Sequence, residues 1–245
     1  MPYARARNAI SLGRWLLIRS GAAAWPVDPY DDGFWDFHAG GDWAGLADLL
    51  VDALHPHSLV DVGCGQGALL GAIRERCPGI RTLGLDASPH AVARARERGL
   101  EVTLTDLTAV GREADRRRAA IVEPFDVVVC LETAEHLPPW SSNSLVRMLT
   151  AGHRVVFSAA QPNQGGTLHV NEQPLSYWRA RFQRQGFDLD PQDEVFRARV
   201  GALDLPSWYG SNIHLFSPSA GREAHCVPRA CSREPARISS APPRG

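Results

Sequence analysis

The 245-residue chain contains no lysine: all 26 of its basic residues are arginine, and 27 acidic residues balance them. We attribute the arginine bias to nucleotide composition rather than to a particular chemistry. A net charge of −1 gives no broad electrostatic footprint for nucleic acid, which counts against an RNA substrate. The five cysteines include no CxxC pair, and this favours a reducing cytoplasm as the location.

Long hydrophobic runs are also missing. No segment approaches the roughly 20 apolar residues of a membrane span, and the apolar run at 15–18 is too short for a signal peptide. Residues 1–45 are predicted to form an N-terminal helical and lid segment, with an amphipathic helix followed by clustered aromatics. Residues 46–216 are predicted to be one α/β domain, and residues 217–245, without apolar periodicity, a disordered tail.

A short apolar strand followed by three spaced glycines occupies residues 58–67, with the sequence SLVDVGCGQG. A strand, a glycine-rich turn and a helix bring bare backbone and a helix N-terminus against a bound ligand. Side chains at Gly63, Gly65 and Gly67 would obstruct that approach, and glycine permits the positive φ that such turns require. The pattern therefore predicts a nucleotide-like cofactor.

Two cofactors fit this turn. Residues 63–68 also satisfy the GxGxxG/A pattern of dinucleotide-binding domains, so NAD(P) is one alternative. Asp61, two positions before the first glycine, suits a cationic amino-acid group better than a pyrophosphate. S-adenosylmethionine carries both an ammonium and a sulfonium. In the segment from Asp61 to Gly67 the chain resembles the class I S-adenosylmethionine-dependent methyltransferases.

The resemblance implies the other cofactor-binding residues. Asp86 ends a second predicted strand and would bind the ribose hydroxyls, a role that NAD enzymes share. Asp106 and Leu107 follow a third predicted strand and would flank the adenine ring. The remaining positions implied to line the cofactor site are Cys64, Ala87 and Leu131.

The sequence ETAEH at residues 132–136 follows the most apolar predicted strand. If this segment is helical, Glu132, Glu135 and His136 share one face. His136 is then predicted to act as a general base toward a substrate hydroxyl, with Glu135 beside it, or the cluster holds a divalent metal. A third alternative is that the glutamates cap or pair locally while His136 packs under the loop.

The same motif occurs at this place in quinone-type O-methyltransferases and in small-RNA 3′-end 2′-O-methyltransferases. In the second group, the resemblance implies metal ligands from the motif and from a later histidine. His169, in a glycine-rich loop after the fifth predicted strand, is its counterpart here, either as a third catalytic residue or as a metal ligand with Glu132, Glu135 and His136. Residues 157–162 and 169–174 together resemble bacterial small-molecule or sugar-modifying methyltransferases.

Strands that alternate with helices predict a doubly wound, Rossmann-like α/β fold. We expect a seven-stranded, mostly parallel sheet with helices on both faces, and a last strand near 211–216 that is antiparallel in the resembled class. The resemblance implies a methyltransferase acting on a small-molecule hydroxyl, such as that of a sugar or natural product. The alternatives are an NAD(P)-dependent oxidoreductase, an RNA 2′-O-methyltransferase and a non-catalytic subunit with the same fold.

Overall fold

A computed structural model describes residues 40–108 and 124–219. Its strands are β1 (Ser58–Val62), β2 (Arg81–Asp86), β3 (Val102–Leu104), β4 (Val127–Cys130), β5 (Arg154–Phe157), β6 (Phe187–Leu189) and β7 (His214–Pro218). They form one sheet in the order β3-β2-β1-β4-β5-β7-β6. Strand β7 is antiparallel to β5 and β6, and the other pairs are parallel. The predicted fold class is confirmed.

Helices cover both faces of the sheet. They are α1 (Trp43–Leu54), α2 (Ala68–Arg76), α3 (Pro89–Glu97), α4 (Ser142–Leu149), α5 (Leu175–Arg184), α6 (Asp193–Val200) and α7 (Ser207–Asn212). Alternate residues of the central strands join two separate cores: Leu59 and Val127 pack with α1 and α2, whereas Val60 and Val128 pack with α4 and α5. The strands are therefore apolar on both sides, as a doubly covered parallel sheet requires.

The structure corrects several boundaries. Residues 207–212 are helical, so the last strand begins at His214 rather than near 211. It extends to Pro218 because Ser217 and Pro218 pair with β6, so these two residues belong to the sheet and not to a tail. Helix α1 also runs across the predicted boundary between residues 45 and 46. The predicted N-terminal helix, the aromatic lid and the tail from residue 220 lie outside the described residues.

In the described ranges, no helix combines the length and the apolar character that crossing a membrane would require.

Gly84, in β2, gives a test of this packing. A Cβ at this position would lie 2.7 Å from Cys64 Sγ and 2.9 Å from Leu70 Cδ1, beneath the glycine turn. Overpacking of this kind lowers the free energy of unfolding by about 1–3 kcal/mol, and we expect that loss for Gly84→Ala in urea denaturation. A Cβ at Gly79 would meet no atom within 4 Å, so Gly79→Ala is the matched control and should leave the midpoint nearly unchanged. Equal midpoints for the two variants would contradict this packing.

Candidate functional site

The glycine turn between β1 and α2 is tied to the end of β2. The N–H groups of Gly63 and Cys64 donate to Leu85 O at 2.7 and 3.2 Å. All three glycines adopt the predicted positive φ, at +82° for Gly63, +53° for Gly65 and +74° for Gly67. A Cβ at Gly63 would overlap the side chain of Thr133, so the turn also packs closely against the segment after β4.

Asp61 is a buried carboxyl at the carboxyl end of β1. Burial, and to a smaller extent the neighbouring Asp86, raises its pKa from the ordinary value of 3.8 to about 7. Within residues 40–108 and 124–219, no cation or hydrogen-bond donor contacts the Asp61 side chain. A cationic ligand at this position would stabilise the ionised form of the Asp61 carboxyl.

Asp86 ends β2 and closes the turn from the other side. Its Oδ2 accepts a hydrogen bond from Gly65 N–H at 2.8 Å, and its Oδ1 accepts one from Ser88 N–H at 2.8 Å. The carboxylate is thereby fixed beside the glycine backbone. Ala87, the next residue, is half-buried.

The other predicted cofactor residues lie along the same edge of the sheet. Asp106 is exposed after β3, and its Oδ1 accepts hydrogen bonds from the backbone N–H and hydroxyl of Thr108 at 2.9 and 2.5 Å. Leu107 is buried, and Leu131 is half-buried after β4. Burial raises the pKa of the Cys64 thiol, and Asp61 and Asp86 add to this effect.

The segment after β4 is not one helical turn, so the expectation that all three motif residues share a helical face is wrong at Glu132. This residue has φ +45°, and only residues 134–136 form a short 3₁₀ turn. The Glu132 side chain still lies close enough to Glu135 to raise the pKa of the Glu135 carboxyl. Its two oxygens accept hydrogen bonds from Asn212 Nδ2 and Gln164 Nε2, both at 3.3 Å.

Glu135 is fully buried and links two segments. Its Oε1 accepts a hydrogen bond from Ala160 N–H at 3.2 Å, and its carbonyl oxygen accepts from Val170 and Asn171 N–H at 2.8 and 3.0 Å. Burial raises the pKa of the Glu135 carboxyl well above its usual range, and the adjacent Glu132 carboxylate raises it further. In the described residues, Glu135 Oε2 meets no N–H or O–H donor.

The backbone contacts of Glu135 bring His169 against the motif. The rings of His136 and His169 are edge-on, with centroids 4.9 Å apart. One ligand atom each from Glu135, His136 and His169 lies within 4.8 Å of the others, and Glu132 is not part of this group. A carboxylate and two imidazoles are ligand types that Zn²⁺ and related divalent ions accept, so three of the four predicted metal residues fit such an ion.

Three side chains at this edge were not assigned roles from the sequence. Glu172 contacts His169, and Gln164 bridges Glu132 and Asn212. Tyr209 is buried, and the pKa of its hydroxyl is raised by burial and then by Glu132, Glu135 and Asp61. The spacing of three residues between His169 and Glu172 is a signal that sequence analysis can use, whereas the other two contacts join distant segments.

Part of the chain is similar in sequence to known methyltransferases. Residues 60–153 match the family model described as a methyltransferase domain. The ubiquinone biosynthesis O-methyltransferase of Stutzerimonas stutzeri (strain A1501) is 33% identical over 109 residues, which are 43% of this chain and 45% of that protein. The chain thus matches less than half the length of this curated relative.

Solved structures share the fold at low sequence identity. The sugar N-methyltransferase KedS8 from Streptoalloteichus sp. ATCC 53650 aligns with a TM-score of 0.54 and 15% identity over 80% of this chain and 98% of that one. The magnesium protoporphyrin IX methyltransferase ChlM from Synechocystis PCC 6803 aligns with a TM-score of 0.52 and 16% identity over 81% and 100%. With its matched methyltransferase domain, its sheet order and its glycine turn with flanking acids, the chain is similar to the class I S-adenosylmethionine-dependent methyltransferases.

Proposed function

We propose that the protein transfers the methyl group of S-adenosylmethionine to a hydroxyl group of a small molecule. The observation that carries the proposal is Asp61, a buried carboxyl beside a second carboxylate and without a cation among the described residues. The ammonium of S-adenosylmethionine supplies the missing positive charge. The pyrophosphate of NAD(P) would instead add negative charge next to Asp61 and Asp86, so the oxidoreductase alternative is disfavoured.

The cofactor is then held along the carboxyl edge of the sheet. Asp61 and the glycine backbone would bind the methionine part, and Asp86 would bind the ribose hydroxyls. Asp106 and Leu107 would flank the adenine, with Leu107 supplying apolar contact. This order follows the edge from β1 to β3, which matches the crevice where doubly wound sheets bind ligands.

Methyl transfer from a sulfonium already has a good leaving group. The protein can therefore accelerate it by aligning the two reactants and by removing the proton of the acceptor hydroxyl. His136 is half-buried beside Glu135 and His169. We assign His136 as the base that accepts the hydroxyl proton. Glu135 and His169 would orient it, because both approach it from elements that are fixed to each other by backbone hydrogen bonds.

The acceptor is proposed to be a small molecule with a nucleophilic oxygen. The curated relative is an O-methyltransferase of ubiquinone biosynthesis, and KedS8 is a sugar N-methyltransferase. Glu132, Gln164 and Asn212 are hydrogen-bonded to one another at the same edge of the sheet. Such hydrogen-bonding groups suit a hydroxylated acceptor, as in a sugar or natural product.

A divalent metal is a second way in which the same side chains can act. Glu135, His136 and His169 would hold the ion, and Glu132 would remain with Gln164 and Asn212. A bound ion would supply Lewis acidity toward an acceptor oxygen. The orphan Oε2 of Glu135 favours this alternative, because a carboxylate oxygen buried without a donor is stabilised by a cation.

We predict that Asp61→Asn weakens binding of S-adenosylmethionine and S-adenosylhomocysteine about 30- to 150-fold, because a charge-assisted contact is worth roughly 2–3 kcal/mol. Isothermal calorimetry measures this change. Asp52→Asn, which changes an exposed aspartate in the last turn of α1, should bind like the wild type. Equal affinities for wild type and Asp61→Asn would contradict the assignment, and so would tighter binding of NAD(P) than of S-adenosylmethionine.

The pKa of Asp61 predicts a pH dependence of the ligand-free protein. Between pH 3.8 and about 7 the native state keeps a proton that the unfolded state has released. The free energy of unfolding should therefore fall as the pH rises through this window, by an amount on the order of 4 kcal/mol, and Asp61→Asn should abolish this part of the slope. Denaturation series across this window measure the slope. A slope that Asp61→Asn leaves unchanged would argue against a proton on Asp61.

The affinity for the cofactor should also depend on the protonation of Asp61. Below a pH of about 7, the carboxyl must lose its proton to meet the ammonium, so affinity should rise with pH up to that value. Calorimetry in buffers with different ionisation enthalpies would detect the released proton.

For His136, we predict that replacement by alanine lowers kcat about 10²- to 10⁴-fold while the affinity for S-adenosylhomocysteine stays within about twofold. Turnover of the acceptor, found by screening candidate hydroxylated compounds with labelled cofactor, gives kcat. Adding a chelator to the wild type separates the two alternatives: unchanged turnover supports His136 as the base, and loss that Zn²⁺ or Mn²⁺ restores supports the metal. An unchanged kcat in His136→Ala would refute both.

A further inference from the structure

The loop that carries His169 also carries its own acidic partner. His169 Nδ1 lies 3.0 Å from Glu172 Oε1, and the His169 and Glu172 side chains are only 9% and 12% exposed. The pair is therefore largely shielded from solvent. None of the sequence motifs or comparisons above assigns a role to Glu172.

The Glu172 carboxylate is held in place by the backbone of the same loop. Gly165 N–H donates to its Oε1 at 2.7 Å, and Asn163 N–H donates to its Oε2 at 3.0 Å. Both oxygens thus accept hydrogen bonds, and the carboxylate cannot rotate without losing one of them. This arrangement fixes the position of Oε1 opposite the imidazole.

Two further contacts fix the position of the His169 ring relative to residues 132–136. Gly166 passes so close to the imidazole that a Cβ at this position would overlap the ring atoms of His169. On the other side, Val170 and Asn171 are tied to the carbonyl oxygen of Glu135. The loop backbone therefore packs against one side of the His169 ring and is hydrogen-bonded to the segment that carries His136.

We propose that Glu172 is a positioning residue that sets the tautomer of His169, an inference that rests on the proposed function of this site. An ionised carboxylate only accepts hydrogen bonds, so the imidazole must donate from Nδ1. The lone pair is then on Nε2, the ring nitrogen that does not contact Glu172, and we assign this nitrogen to the cluster with Glu135 and His136. In this state His169 can accept a proton or bind an ion, whereas the opposite tautomer would present an N–H to the cluster.

The first test measures the tautomer directly and does not need a substrate. Spectra of ¹⁵N-histidine-labelled protein, at a pH at which histidine side chains are neutral, distinguish a protonated Nδ1 from a protonated Nε2, and His169→Ala assigns the signals. We expect protonated Nδ1 in the wild type and in Glu194→Ala, an exposed glutamate on α6 that serves as control. In Glu172→Ala the proton should move mainly to Nε2. The same tautomer in wild type and Glu172→Ala would overturn the proposal.

The second test asks whether Glu172 acts through His169. Glu172→Ala should lower kcat about 10- to 100-fold, with KM for S-adenosylmethionine nearly unchanged, which is the usual effect of losing such a partner. In the His169→Ala background the same change should cause no further loss of kcat. A further loss of the same size would show a separate role for Glu172 and overturn the inference.

Gly166→Ala provides an independent variant should Glu172→Ala fold poorly. Its methyl group must displace the imidazole from Glu172, so the signal of protonated Nδ1 should be lost with the carboxylate still present. An undisturbed signal would contradict this loop geometry. If the wild type binds no S-adenosylmethionine, the proposed function fails, but the tautomer measurements still decide the role of Glu172.

Discussion

Negative charge buried at the carboxyl edge of the sheet is the constraint on which the site depends. Asp61 and Asp86 end neighbouring strands, and parallel pairing of β1 with β2 brings their carboxyls close together. Glu132 and Glu135 add two more acids after β4, the strand on the other side of β1. Desolvation and mutual repulsion make this arrangement unfavourable for the empty protein. A cationic cofactor removes part of that penalty, so the buried acids of the fold favour its binding.

The second organising interaction is made by the backbone. The carbonyl oxygen of Glu135 accepts two N–H groups from the loop after β5, and this joins the motif after β4 to the loop of His169. Because main-chain groups make the joint, side chains on both segments remain available for chemistry. The imidazoles of His136 and His169 then meet edge-on, and Glu172 orients the second one from behind.

Much of this organisation is predictable from local sequence. The strand, glycine turn and helix at 58–76 have strong signals, since hydrophobic runs and glycine spacing act over a few residues. Ser88 and Pro89 similarly predict the start of α3, where Ser88 Oγ accepts a hydrogen bond from Ala91 N–H at 3.0 Å. The start of β7 was misplaced because residues 207–212 carry aromatics that suit either a strand or a buried helix. Tertiary packing against α1 and α6 resolves this ambiguity, with Tyr209 edge-on to Trp43.

The fold class, the glycine turn and the acids that end the strands are all predictable from the sequence, because each depends on residues that are close along the chain. The sequence also predicted roles for His136 and His169, but not how their rings meet. Tertiary contacts were needed to show that Gln164 and Asn212 donate to the Glu132 carboxylate, whereas Glu135 groups with the two histidines. Glu132 itself has a left-handed backbone, and its N–H donates to Ser158 at the end of the neighbouring strand. Contacts between segments that are far apart in sequence set this conformation, and no local pattern encodes them.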